Sequence, residues 1–99
     1  MENGRKLEEK YVNVMIDAIV AVMPRMPVRD RQKMYRFAYT QCIVNPQRGN
    51  AGFVKEAMPP VPELTSRVKV MLREADGDDV RRVFKMMRTL VEMRRIKKE

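Results

Sequence analysis

The chain lacks histidine and tryptophan altogether, and it contains a single cysteine, Cys42. Protein zinc sites are built mainly from histidine nitrogens and cysteine sulfurs, so the usual zinc sites are excluded and we expect no metal site. A Ser–His–Asp triad and a Cys–His nucleophile pair are excluded on the same grounds. The acidic residues show no spacing typical of a paired catalytic site, and no glycine-rich phosphate loop occurs. We therefore expect a protein that is not an enzyme, uses no cofactor and takes no small-molecule substrate.

A single cysteine also permits no intramolecular disulfide, which favours a reducing compartment. The expected location is therefore intracellular, either cytoplasmic or nuclear. The most apolar stretch, residues 11–23, is shorter than the roughly 20 residues that span a bilayer, and it contains Asn13 and Asp17. The acidic Glu8 and Glu9 just before it also argue against a secretory signal. This stretch is predicted to be a buried helix.

The chain also carries a large positive charge. The chain has 99 residues, a formal net charge of +8 at pH 7 and a hydrophobic content of 44%. That content suffices for one modest core, so we expect a single domain over residues 1–99. Charge of this size attracts anionic partners such as nucleic acid, an acidic protein face or an anionic membrane.

Apolar residues recur at the helical period in four segments, which predict helices at about 5–23, 28–44, 62–75 and 78–99. A short helix or turn at 53–57 would add a fifth element. The predicted fold is a compact all-α bundle of four to five helices, built from two helical hairpins and forming a homodimer or larger oligomer. Residues from about 94 to 99 are predicted to be a flexible basic tail.

The predicted connections have the residues that turns require. Pro24 and Pro27 end the first helix, because proline lacks the backbone donor and clashes with the preceding turn. Residues 45–52 (NPQRGNAG) have the asparagine, proline and glycine content of a turn. Gly77 separates the third and fourth helices, and Asp78 is the predicted N-cap of the fourth.

Basic side chains are concentrated on the second and fourth predicted helices, opposite their apolar faces. Cations at spacings of three and four residues share one helix face, where several can contact phosphates together. Tyr35 and Tyr39 flank the row on the second helix, and their spacing favours core positions over base stacking. The candidate nucleic-acid-binding residues are Arg81, Lys85, Arg88, Arg94, Arg95, Lys97 and Lys98 of the fourth helix and Arg29, Lys33 and Arg36 of the second.

These residues predict a non-enzymatic, nucleic-acid-associated protein, such as a small regulator, a packaging protein or a viral nucleocapsid-type component. No side chain is suited to reading bases, so binding should depend little on sequence. A helix–turn–helix reader is disfavoured, because a recognition helix presents its N-terminal residues to the groove. Here those residues are Asp78 and Asp79, which phosphates would repel. Whether the partner is DNA or RNA, single- or double-stranded, is left open by the sequence.

One alternative function depends on the first helix and on methionine. The first helix is apolar around most of its circumference, and the chain contains ten methionines. A protein–protein adaptor or oligomerisation module could use such surfaces, since methionine adapts to different partners. The candidate interface residues for this alternative are Tyr11, Met15, Ile19, Met86 and Met93. A third hypothesis is a matrix-like protein whose basic face lies on anionic membrane.

Residues 21–44 resemble the BESS motif, a two-helix interaction element of insect transcription regulators. The likeness consists of an apolar helix closed by proline and a following basic–apolar helix that contains Gln32, Lys33 and Met34. It covers about a quarter of the chain and requires a gap. The resemblance implies self-association beside nucleic acid.

Overall fold

A computed structural model describes the backbone of residues 2–44 and 57–98 and the side chains of residues 8–44 and 57–94. The four helices are α1 (Glu2–Val22), α2 (Val28–Tyr39), α3 (Leu64–Glu74) and α4 (Gly77–Lys98). A π-helical turn, Thr40–Val44, extends α2, and 3-10 turns at Met23–Arg25 and Val61–Glu63 follow α1 and precede α3. The described residues contain no strand, so the all-α prediction is confirmed. The predicted turn at 45–52 and most of the predicted element at 53–57 lie outside the described residues, and the flexibility of residues 94–99 stays a prediction.

Proline and acidic residues set the helix ends largely as the sequence indicates. Pro24 lies in the 3-10 turn, Met26 is extended with φ −79° and ψ 151°, and Pro27 is the N-cap residue of α2. The prediction of Asp78 as the N-cap of α4 was wrong, because the helix begins at Gly77 and its first bond runs from the Val80 N–H to the Asp76 carbonyl at 3.1 Å. Asp78 therefore lies in the first turn of α4, where its negative carboxylate interacts favourably with the positive end of the helix dipole.

The helices pack in pairs that differ from the predicted hairpins. The extensive contacts are those of α1 with α3 and α4, and those of α2 with α3 and α4. Helices that follow each other in the chain, α1 with α2 and α3 with α4, are not principal packing partners. A short proline-containing link joins α1 to α2, and a tight turn joins α3 to α4. The apolar faces of α1 and α2 pack against α3 and α4, in the other half of the chain. Four helices are confirmed, whereas the arrangement as two packed hairpins is wrong.

The relative directions of α1 and α4 follow from contacts at their two ends. At one end, a Cβ on Gly77 would lie 3.1 Å from Val12 Cγ2, so the start of α4 rests closely on α1. At the other end, Asp30, shortly after α1, bonds to Arg94 near the end of α4. The two helices therefore run in the same direction.

The core is formed by the inward face of every helix. The spacing of apolar residues on α1 predicts Tyr11, Val14 and Ile19 on one inward face. This phase is partly wrong, because Tyr11 and Val14 are 66% and 59% exposed whereas Ile16 and Ile19 are buried. A helix that is apolar on most sides has no sharp polar face, so its periodicity fixes the buried side poorly. The buried apolar residues are Ile16, Ile19, Met23, Met26, Met34, Tyr35, Ala38, Leu64, Val68, Leu72, Val80, Val83, Met87 and Leu90.

Candidate nucleic-acid interface

The basic row of α4 lies opposite its buried face, as the sequence predicts. Val80, Val83, Met87 and Leu90 recur at three- and four-residue spacing and are buried. The opposite side of α4 carries three exposed basic residues, Arg81, Lys85 and Arg88. We call these three residues the α4 row.

The charges of the α4 row are only partly neutralised. Arg81 Nη1 lies 3.4 Å from Asp78 Oδ1, and both side chains are largely exposed, so this ion pair is weak. Lys85 and Arg88 form no ion pair with any described residue. They flank a shallow surface depression of about 280 Å³ that Glu92 borders at one end. Lys85 and Arg88 are thus available to an anion that approaches from the side opposite Glu92.

A second basic row lies on α2, a helix that packs against α4. Arg29, Lys33 and Arg36 are exposed, while Met34 and Ala38 of the same helix are buried. None of the three cations forms an ion pair within the described residues. We call these three residues the α2 row. The two rows therefore lie on the outer faces of two helices that pack against each other, a packing that the sequence alone could not establish.

Arg94, a predicted phosphate contact, is engaged inside the protein. Its Nε donates a hydrogen bond of 2.8 Å to Oδ2 of Asp30, which is 8% exposed, while Arg94 itself is 51% exposed. The bond joins the last turns of α4 to the first turn of α2 across 64 positions of the sequence. Sequence reasoning missed Asp30, because an acid in the first turn of a helix is expected for dipole reasons alone. Arg94 therefore ties together the helices that carry the two rows.

Replacing the two partners of this bond should have unequal effects on stability. Arg94→Ala leaves the buried Asp30 carboxylate without its cation and should lower the free energy of unfolding by about 3 kcal/mol. Asp30→Asn leaves Arg94 half in water and should cost only about 1 kcal/mol. Urea denaturation of the two variants measures the difference, and equal losses would contradict this account of the bond.

The C-terminal candidates Arg95, Lys97 and Lys98 lie beyond the described side chains, although the backbone of α4 continues to Lys98. Their predicted contacts with phosphate stay predictions.

Acidic side chains are concentrated elsewhere, around a groove between α1 and the turn from α3 to α4. The groove has a volume of about 1020 Å³ and includes Arg73 among its lining residues. Its acidic lining residues are Glu8, Glu9, Asp17, Asp76 and Asp78. Much of the negative charge is thus gathered at this groove, away from the α2 row and from Lys85 and Arg88.

The tyrosines of α2 are mainly core residues. Tyr35 is 4% exposed and Tyr39 is half-buried, and their rings stack with centroids 6.1 Å apart. Both line a groove of about 550 Å³ with Val70 and Met71 of α3. The core prediction is confirmed for Tyr35, so base stacking on that ring is excluded in this fold.

The candidate interface residues differ in how far they are buried. Ile19 is completely buried, so its assignment to an interface was wrong. Tyr11 and Met93 are 66% and 52% exposed, whereas Met15 and Met86 are half-buried and contact the core. Tyr11 and Met15 remain as candidates on α1, and Met86 and Met93 on α4.

Cys42 lies half-buried in the π-helical turn after α2. Burial, together with the negative charge of Asp79, raises the pKa of its thiol from 9.0 to about 11. The thiol therefore stays protonated near neutral pH, and the thiolate is the form that attacks alkylating reagents. The pKa of this thiol is higher in the folded state than in the unfolded state. The contribution of the thiol to folding stability is therefore fully present below about pH 9 and is lost as the pH rises towards 11.

Alkylation of Cys42 in the native protein should accordingly be slow. A pKa raised from 9.0 to about 11 lowers the thiolate fraction at mildly alkaline pH about 100-fold relative to a free thiol. Mass spectrometry of iodoacetamide-treated native and urea-unfolded protein measures the ratio of the two rates. Native protein that reacts nearly as fast as unfolded protein would contradict the burial of this thiol.

The described residues contain no group of three or more acidic or cysteine side chains that could hold a metal ion. Within the same residues, no helix is both long and apolar enough to cross a membrane. The chain matches no protein-family model, no curated protein and no solved structure. The resemblance of residues 21–44 to the BESS motif is therefore without support from a family match.

Proposed function

We propose that this protein binds the phosphate backbone of nucleic acid, without catalysing a reaction, through the α4 row and the α2 row. The observation that carries the proposal is the exposure of Lys85, Arg88, Arg29, Lys33 and Arg36 on two packed helices, with no acidic partner among the described residues. Lysine and arginine displayed in this way replace the counterions of a phosphate chain, and release of those counterions drives binding.

The charge distribution supports an oriented contact. Acidic residues surround the groove between α1 and the α3–α4 turn, which would keep that face away from phosphate. The α2 row and the Lys85 and Arg88 part of the α4 row do not line this groove. The protein would therefore approach nucleic acid with the α2–α4 side first.

The proposed contact is with the backbone and not with the bases. Lysine and arginine at helical spacing position a protein on phosphates, whereas sequence is read by side chains aimed at base edges. Lys85 and Arg88 lie further along α4 than its N-terminal end, where Asp78 and Asp79 stand. The expected role is that of a small regulator, a packaging protein or a nucleocapsid-type component with weak sequence preference.

Fluorescence anisotropy with labelled single- and double-stranded DNA and RNA tests the proposal. We expect binding at low salt and similar affinities for two unrelated sequences of equal length and strandedness. Absence of binding to all four nucleic acids at low salt would contradict it. Binding to phosphatidylserine-containing vesicles without nucleic-acid binding would instead favour the membrane hypothesis.

A further inference from the structure

The first helix has a second apolar face that the core covers only in part, because Met15, Ala18 and Val22 touch the core along one edge of it. Tyr11 and Val14 are 66% and 59% exposed, although both are large apolar residues on a helix whose other side forms the core. Further apolar residues continue this face at helical spacing, each exposed or half-buried. The outer stripe consists of Tyr11, Val14, Met15, Ala18, Ala21 and Val22.

The outer stripe is bordered by the α4 row. On the opposite border, Asn13 and Asp17 of α1 line a groove with Arg73. Val12 contacts the start of α4, and Met15 and Val22 follow Val12 at helical spacing, so they lie on the α4 side of α1. Because α1 and α4 run in the same direction from the contact of Val12 with Gly77, the α4 row rises beside the stripe towards its C-terminal end.

Charge around the stripe is uneven along its length. Near Tyr11 the neighbouring charges are mixed, with Glu8 and Lys10 on α1 and with Asp78 on α4 paired to Arg81. Further along, Lys85 and Arg88 have no acidic partner within the described part of the chain. The middle and C-terminal parts of the stripe, where Ala21 is exposed and Met15, Ala18 and Val22 are half-buried, thus have cations on one border.

We infer that the outer stripe binds an amphipathic helix of a partner protein, whose apolar face covers Tyr11 and Val14 and whose acidic flank meets Lys85 and Arg88. The stripe extends over about 17 Å, which corresponds to about three turns of a bound helix. Apolar residues at spacings of three and four are the usual anchors when a helix binds to another protein. The cationic border supplies the charge complementarity that selects an acidic partner helix.

A second copy of the chain fits the stripe less well than an acidic helix. Each copy carries a net charge of +8 and the same cationic border, so two facing copies would gain apolar contact at the cost of repulsion. A bilayer fits less well because it would cover the whole surroundings of the stripe, including the exposed Glu8 and Asp17, whereas a helix can place its acidic flank on the cationic border alone. Acidic side chains are expensive to place at the boundary of a hydrocarbon layer.

The test uses a fluorescein-labelled helical peptide of about 20 residues with leucine on one face and glutamate elsewhere. A second peptide keeps the leucines and replaces glutamate by lysine. We expect the glutamate peptide to bind the full chain at least about tenfold more tightly than the lysine peptide. The double substitution Tyr11→Gln and Val14→Gln leaves the charge of the protein unchanged. It should weaken binding of the glutamate peptide about tenfold or more.

Val70→Gln is the matched control, because Val70 is 60% exposed on α3 and lies outside the stripe. This variant should bind the glutamate peptide as the wild type does. The Tyr11→Gln and Val14→Gln pair should leave nucleic-acid affinity unchanged, which separates this inference from the proposed function. Circular dichroism checks that each variant keeps its helices.

Four results would overturn the inference. The first is no binding of the glutamate peptide at low salt, and the second is equal binding of both peptides. The third is a dimer in sedimentation experiments that the Tyr11→Gln and Val14→Gln pair dissociates, because a second copy would then occupy the stripe. The fourth is binding to phosphatidylserine vesicles that the same pair abolishes, because the stripe would then face a membrane.

Discussion

Reversing the two unpaired charges of the α4 row should nearly abolish binding to nucleic acid. Lys85→Glu with Arg88→Glu removes two phosphate contacts and places two carboxylates where phosphates would lie. Each contact contributes through counterion release, and each new carboxylate adds repulsion. We expect an affinity loss of roughly 100-fold at moderate salt, measured by fluorescence anisotropy. Both residues are exposed, so the melting temperature should change little.

The control for this experiment makes the same charge change on another helix. Lys69→Glu with Arg73→Glu lies on α3, and Arg73 borders the acidic groove. This variant has the same net charge as the α4 variant, so it measures the effect of overall charge alone. We expect an affinity loss several times smaller than that of the α4 variant. Equal losses in the two variants would mean that total charge, and not the α4 row, determines binding.

The second large effect concerns the stability of the fold and the two faces of α1. Ile19 is completely buried, so Ile19→Ala should lower the free energy of unfolding by about 2–5 kcal/mol through lost apolar burial and the cavity left behind. Val14→Ala, five residues earlier on the same helix, removes an exposed side chain and should change stability by less than about 0.5 kcal/mol. Urea denaturation followed by circular dichroism measures both.

A comparable loss for both variants would contradict the assigned orientation of α1. If Val14→Ala proved the more damaging change, the outer stripe would be the buried face of this helix. The comparison also bears on the peptide experiment, since the outer stripe is open to a partner only if Val14 is free of the core.

The four helices could be predicted from the sequence because their ends and periodicities are local signals. Pro24 and Pro27 stop α1, and the alternation of cations with Val80, Val83 and Met87 defines both faces of α4. The phase of α1 could not be predicted in the same way. Its apolar residues surround most of the helix, so either face was compatible with burial until the positions of α3 and α4 were known.

Contacts between helices distant in the sequence were beyond prediction for a different reason. The bond between Asp30 and Arg94 depends on how α2 and α4 meet, and nothing within either segment indicates it. The interleaved pairing of the helices likewise depends on which apolar faces fit together, whereas the sequence suggested two hairpins packed on themselves. The α2 and α4 rows were predicted separately, and only the structure shows that their helices pack against each other.

The salt dependence of nucleic-acid affinity is the most direct measurement of the central claim. The logarithm of the association constant should fall linearly with the logarithm of salt concentration, with a slope of several units. Neutralising two contacts, by Lys85→Gln with Arg88→Gln, should reduce that slope by about two units. A wild-type affinity that does not change with salt, or a slope unchanged by the two substitutions, would contradict binding of phosphate through the α4 row.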